Sequence, residues 1–219
     1  MQFLVPLGIV IFSYLMGSIP WGYILVKIKN GKDVRDIESG RTGGTNAMRA
    51  SNFWIGFVTS VLDILKSATT VWVAKSLLPQ QSWMHVVAPI FAIIGHNYSL
   101  YLMERDETGK IITHGGAGGA PATGGAVGLW WPSGLILIPM GLLIVFGIGY
   151  ASIATMSLPV MAGILLAYRA LRFGTPWEYV VFGLLAELLI LWALRPNIRR
   201  LLQGQERVVG WRAKKGDQN

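Results

Sequence analysis

The chain has 219 residues, 53% of them hydrophobic and only 14% charged, with a net charge of +8 and a mean hydropathy of +0.49. A soluble domain of this length carries roughly a quarter charged residues, so the composition indicates an integral membrane protein. The absence of cysteine excludes disulfides, thiolate catalysis and Cys-bound metal centres. No nucleic-acid-reading motif accompanies the basic charge, which fits cytoplasmic loops beside anionic lipid.

The first apolar segment runs from about Phe3 to Val26, long enough to cross a bilayer with some tilt. It is too long for a cleaved signal peptide and reads as a retained span. Pro20 inside it removes a helix hydrogen bond and predicts a kink. A polar, basic loop, 27–52, follows. The second span, about Phe53 to Leu78, contains Asp63 and Lys66. Three residues apart, they share a helix face and can pair; ionisable groups within a span face the bundle interior. The third span, about Trp83 to Leu102, carries Gly95-His96-Asn97. The loop 103–120 closes on His114 and a glycine-rich run.

Segment 121–131 is short for a span. It is either a half-span buried in protein or, the favoured reading, a crossing that borrows the glycines before it. The fifth span covers about 135–148. A small polar break with Ser152 and Thr155 leads into the sixth, which ends near Leu171. The seventh runs from about Trp177 to Leu194 and holds Glu187. The expected fold is therefore one all-α polytopic membrane domain, 1–219, with about seven transmembrane helices. No inverted repeat of the transporter kind is present.

Charge sets the expected orientation. Of the nineteen Lys and Arg residues, six lie in 27–52, two in 103–120 and seven in the tail 195–219. The positive-inside rule places these in the cytoplasm, with the N-terminus outside and the C-terminus cytoplasmic. The polar glycine-rich stretches then converge on the cytoplasmic face, where they can build one site.

Each stretch has two readings. Glu38 to Arg49 offers Ser39, Thr45, Asn46, Arg41, Arg49 and the glycines 40, 43 and 44, an inventory suited to phosphate or to a solvated topogenic loop. His96 can serve as base, acid or phosphate partner, or it can cap a helix C-terminus. His114 and Gly115-Gly116 can cradle phosphate or act as a linker. Ser152 and Thr155 can donate into a site or bond their own backbone, the reading preferred for them. Residues 195–206 read best as a basic amphipathic helix lying on the membrane, unless Asn197 points inward.

Taken together and in order, these motifs resemble the bacterial integral-membrane acyl-phosphate:glycerol-3-phosphate acyltransferases. Gly17-Ser18-Ile19-Pro20-Trp21-Gly22-Tyr23 is similar to that family's first-span signature. Ser39-Gly40, Gly43, Thr45-Asn46 and Arg49 match its first cytoplasmic motif, and Asp63 with Lys66 matches a D-x-x-K pair. Gly95-His96-Asn97 and Gly115-Gly116 match its second motif, and Tyr150, Ser152 and Thr155 resemble its sixth-span start. Arg195, Asn197-Ile198, Arg200-Leu201, Gly204 and Glu206 match its tail motif.

The resemblance implies acyl transfer from acyl-phosphate to the sn-1 hydroxyl of glycerol-3-phosphate, giving lysophosphatidic acid and phosphate in phospholipid synthesis. It implies a multi-pass protein of the bacterial plasma membrane, with no cofactor and no metal; a monomer in contact with membrane lipids is expected. Ser39, Arg49 and His96 are the catalytic candidates. Gly40, Arg41, Gly43, Thr45, Asn46, Asn97, His114, Gly115, Gly116, Ser152 and Asn197 are the substrate-binding candidates. The alternatives are a different acceptor, a non-catalytic lipid- or anion-binding member, or a small transporter.

The chain departs from the pattern at charged positions. The glycine-loop lysine is Ala117, the tail-motif histidine is Leu194, its glutamate is Pro196, and the arginine before Tyr150 is Gly149. The asparagine of the first motif is Arg41, and the loop before Gly115 is about nine residues longer than usual. Arg41, or Lys110 or His114 in the extended loop, is the expected substitute for the missing cation. Arg41 and Lys110 both turned away from the pocket would exclude that.

Overall fold

Pro20 breaks the first apolar segment in two. Helix α1 (Leu4–Ser18) ends at Ile19-Pro20 and α2 (Trp21–Asn30) begins directly after it. The missing proline N–H and the ring prevent a continuous ladder. The computed structural model describes residues 3–210, so the last part of the basic tail lies outside the described residues.

A short helix α3 (Gly44–Ala50) follows the first loop, then α4 (Phe53–Leu77), α5 (Ser82–Asn97), α6 (Gly119–Leu129), α7 (Ser133–Leu143), α8 (Ala151–Phe173) and α9 (Glu178–Leu202). Helix α7 runs on into a wide π turn, Ile144–Ile148, that stops at Gly149. Among the described residues, four helical stretches are long and apolar enough to cross a membrane: Leu4–Asn30, Phe53–Leu77, Ala151–Phe173 and Glu178–Leu202. Helix α5 has 16 residues, and Ser133–Ile148 is a shorter apolar stretch.

Helix α6 has only 11 residues, about 16 Å at 1.5 Å per residue, roughly half the hydrocarbon thickness. Nine of its residues are buried, so it is enclosed on nearly every side by α4, α5, α7, α8 and α9. Its glycines and alanines let these neighbours approach. The main core surrounds it, with Phe182, Ile190, Ile93, Leu137 and Leu166 fully buried.

Two features differ from the sequence-based expectation. Loop 103–120 is not featureless: β1 (Met103–Arg105) and β2 (Ile111–Thr113) form an antiparallel hairpin with Glu104 opposite Ile112. Nor do residues 195–202 lie apart as a surface helix. They continue α9 without interruption through Pro196, and Asn197 is turned inward, 8% exposed.

Candidate active site

The first loop is folded by its own backbone. Gly40 adopts a left-handed conformation (φ 66°) that glycine tolerates without steric cost. Asn46 is buried, and its Nδ2 donates to the carbonyls of Val34, Ile37 and Arg41, each at 2.9 Å. The amide thus holds the loop in shape. Thr42 N donates to Gly115 O at 3.2 Å, which joins this loop to the glycine-rich one.

A cavity of about 540 Å³ opens beside the loop. Its polar lining includes Ser39, Arg41, Thr45, Arg49, His96, Ser152 and Asn197. Its apolar lining includes Phe57, Ile64, Leu137, Leu142, Phe146 and Leu158 from α4, α7 with its π turn, and α8. Such a cavity suits a molecule with an anionic head and a hydrocarbon tail.

Two guanidiniums face it. Arg49 makes a single long contact, Nη2 to Val208 O at 3.5 Å, so most of its donors remain available. Burial holds it below its ordinary value, with Glu38 opposing. Arginine stays charged near neutrality all the same. Arg41 is more enclosed: Nη1 donates to Gly116 O at 3.1 Å, and Nη2 donates to Ala193 O at 2.6 Å and Asn197 Oδ1 at 3.3 Å. Burial, then Arg200, lowers its value. Its two carbonyl partners directly precede Ala117 and Leu194, the positions where the expected lysine and histidine are missing. Arg41 also lines a smaller chamber of about 150 Å³ with Asn97, Gly116 and Arg195.

Asn197 donates to Glu206 Oε1 at 2.8 Å, and Glu206 accepts from Arg200 Nε at 3.2 Å. The chain after α9 folds back over the cavity mouth, where Arg207 pairs with Glu38 at 3.0 Å and Val209 N donates to Gly149 O. Ser152 is buried at the start of α8, and its hydroxyl has no partner among the described residues. Thr155 bonds its own helix, Oγ1 to Ala151 O at 2.8 Å.

His96 does not cap a helix end. It is buried against Asp63 and Lys66, whose ion pair measures 2.8 Å, and both His96 and Asp63 line the cavity. Gly115 and Gly116 lie against the end of α5, where Gly116 N donates to His96 O at 2.8 Å. A Cβ on Gly116 would fall 1.9 Å from His96 Nε2, so only glycine fits. Their place is a close-packed hinge behind the cavity wall, which Ala117 and Gly118 form instead. Asn97 is buried with both amide atoms unpartnered among the described residues, and it faces the smaller chamber.

The structure thus brings Ser39, Arg41, Gly43, Thr45, Asn46, Arg49, His96, Ser152 and Asn197 to one cavity. His114 is not among its lining residues: its Nε2 lies 2.7 Å from Glu104 Oε1 on the outer hairpin. Lys110 sits exposed in the hairpin turn, where its backbone N–H donates to Asp106. Two acidic residues, Asp63 and Glu206, also line the cavity and were not among the candidates. Their signals were the Asp63–Lys66 spacing and the tail motif. No group of three or more metal-ligating side chains occurs among the described residues.

Residues 7–204 match the family model for glycerol-3-phosphate acyltransferase. A glycerol-3-phosphate acyltransferase of Thermus thermophilus is 35% identical over 93% of this chain and 94% of its own. One of Nitrobacter winogradskyi is 33% identical over 95% and 99%. The crystal structure of PlsY, an integral membrane glycerol 3-phosphate acyltransferase in its glycerol 3-phosphate form, superposes with a TM-score of 0.80 at 30% identity, covering 94% of this chain and 96% of that one. Its lysophosphatidic acid form gives a TM-score of 0.78 at 28% identity, covering 94% and 95%. With the family model matched across nearly the whole chain and the fold shared over 94% of it, this membrane protein is an acyltransferase and belongs to the glycerol-3-phosphate acyltransferase family.

Proposed function

We propose that the chain transfers an acyl group from acyl-phosphate to the sn-1 hydroxyl of glycerol-3-phosphate. The acceptor oxygen attacks the acyl carbonyl carbon, a new ester bond forms, and the bond from that carbon to the phosphate oxygen breaks. Inorganic phosphate leaves, the hydroxyl proton passes to a substrate phosphate, and 1-acyl-glycerol-3-phosphate remains. The observation that carries this reading is the cavity, whose lining combines cations and hydroxyls with extensive hydrocarbon.

Positioning and electrostatics supply the acceleration. Arg49 and Arg41 neutralise phosphate charge, Ser39 and Thr45 donate to its oxygens, and Ser152 and Asn197 hold the acceptor. The apolar lining takes the acyl chain. In this reading the shorter helices α5, α6 and α7 count as spans, giving seven crossings of one domain in a bacterial plasma membrane. The N-terminus is then outside and the cavity mouth cytoplasmic, and the protein acts as a monomer.

The test is purified protein in lipid nanodiscs with acyl-phosphate and glycerol-3-phosphate. Stoichiometric release of phosphate and lysophosphatidic acid is expected. Binding of both substrates without turnover would leave only a lipid- and anion-binding protein.

A further inference from the structure

The strongest unexplained feature is the buried trio Asp63, Lys66 and His96. Lys66 is 3% exposed, yet its Nζ is surrounded by three acceptors. Ile19 O accepts at 2.8 Å, Asp63 Oδ1 lies at 2.8 Å, and His96 Nδ1 lies at 3.1 Å. The Ile19 carbonyl lies at the helix break before Pro20 and accepts from both Trp21 N at 3.2 Å and Lys66 Nζ. An ammonium has three hydrogens and no lone pair. Three acceptors, one of them a carboxylate, are the surroundings of a charged lysine.

A charged Lys66 can only donate to His96 Nδ1, so Nδ1 must be the unprotonated nitrogen. The alternative partner for an Nδ1–H is Asp63 Oδ1 at 3.6 Å, too far for a hydrogen bond. The proton of the neutral imidazole therefore sits on Nε2. No protein group among the described residues accepts from Nε2, which packs over Gly116, and His96 lines the large cavity.

The geometry points to a role for His96 as a fixed neutral N–H donor into the cavity, and not a base, with Lys66 and Asp63 as the positioning residues that set its tautomer. Its ligand is an oxygen carrying negative charge, either a phosphate oxygen or the carbonyl oxygen of the acyl group as it develops charge. The use of that donor in turnover rests on the acyltransferase reading of the cavity. The tautomer itself does not.

Two experiments separate these. The first uses the intact protein with 15N-labelled histidine, in nanodiscs at pH 7; His85 and His114 are separated by their own substitutions. A pyrrole-type Nε2 and a pyridine-type Nδ1 on His96 are expected, and Lys66→Met is expected to mix the two tautomers. An Nδ1–H form or an imidazolium in the unmodified protein overturns the proposal. The second is turnover of His96→Gln against His96→Leu. Gln keeps an N–H near the Nε2 position, so a loss of about tenfold or less is expected, against about 100-fold or more for Leu, the usual cost of removing one such donor. Equal inactivation of both folded variants indicates a base and overturns the donor role. Full activity of both, with the Nε2–H tautomer confirmed, overturns the use of the donor in turnover; no turnover by the unmodified protein, with that tautomer confirmed, overturns only the acyltransferase reading of the cavity.

Discussion

The first loop, 38–49, and the segment 194–206 present the same residue types to one cavity and divide their roles in opposite ways. In the loop, the amide of Asn46 holds three backbone carbonyls, while Arg49 is nearly free. In the later segment the amide of Asn197 faces the cavity, held by side chains (Glu206 and Arg41) and not by backbone carbonyls, while Arg200 is tied to Glu206. The cause is the backbone. An irregular loop leaves unpaired carbonyls that need a donor, and Asn46 supplies it. A helix satisfies its own backbone, so α9 releases its asparagine to point inward. Residue type alone therefore does not assign ligand and scaffold here; the local demand for hydrogen bonds does.

The sharpest way to break this contrast is to remove one arginine from each side. Arg49→Ala is expected to lower kcat/KM by about 100-fold or more, since each charge-assisted hydrogen bond contributes about 1.5–3 kcal/mol and 1.4 kcal/mol is tenfold. Arg199→Ala, exposed on α9, is expected to change it by less than about twofold. Steady-state phosphate release in nanodiscs measures both. Comparable losses would abolish the distinction.

The next effect concerns Arg41, the link between the two regions. Its carbonyl partners precede Ala117 and Leu194, so one guanidinium reaches the space of both missing cations. Arg41→Asn is expected to cost about tenfold, the worth of a single charged hydrogen bond. Adding Ala117→Lys is expected to recover most of it, because Ala117 also lines the cavity. Failure of the lysine to restore activity in a folded double variant would show that Arg41 acts on the backbone alone.

These assignments also show what was legible in the chain. Four membrane-length apolar helical stretches, the Pro20 break and the Asp63–Lys66 pair follow from hydropathy, proline chemistry and helix spacing, and are present among the described residues. The hairpin was missed because Ile111-Ile112-Thr113 is too short a run to signal a strand without its partner. The reading of 195–206 as a surface helix arose because Leu194, Ile198, Leu201 and Leu202 form an apolar stripe in sequence whatever covers it; Asn197 entered as a binding candidate through the family resemblance, and it does line the cavity. The third acceptor of Lys66, the Ile19 carbonyl at the helix break, and the position of His96 are tertiary facts. They join residues 47 and 30 apart along the chain.

A smaller contrast lies between the two asparagines. Asn46→Ala is expected to act mainly on stability, by about 2–3 kcal/mol, because buried carbonyls lose their donor; thermal unfolding reads this. Asn197→Ala is expected to act mainly on the acceptor, raising KM for glycerol-3-phosphate several-fold, with a smaller change in unfolding temperature. A reversed pattern would exchange the two roles and return the later segment to scaffold.

The smallest effect is expected at the hairpin, which tests where the site ends. The His114 hydrogen bond, and then Arg35, hold the Glu104 carboxyl below its ordinary value. A lowered carboxylate stabilises the folded state above its ordinary range, and that contribution disappears as pH falls through the lowered value. The hairpin should thus be better protected from amide exchange, corrected for intrinsic rates, at pH 7 than near pH 3. His114→Ala should narrow that difference by moving Glu104 back toward its ordinary value. Turnover at pH 7 should change by less than about twofold, as for other exposed pairs. A tenfold loss would mean that the hairpin closes onto the cavity during the reaction and that Glu104 and His114 belong to the site after all.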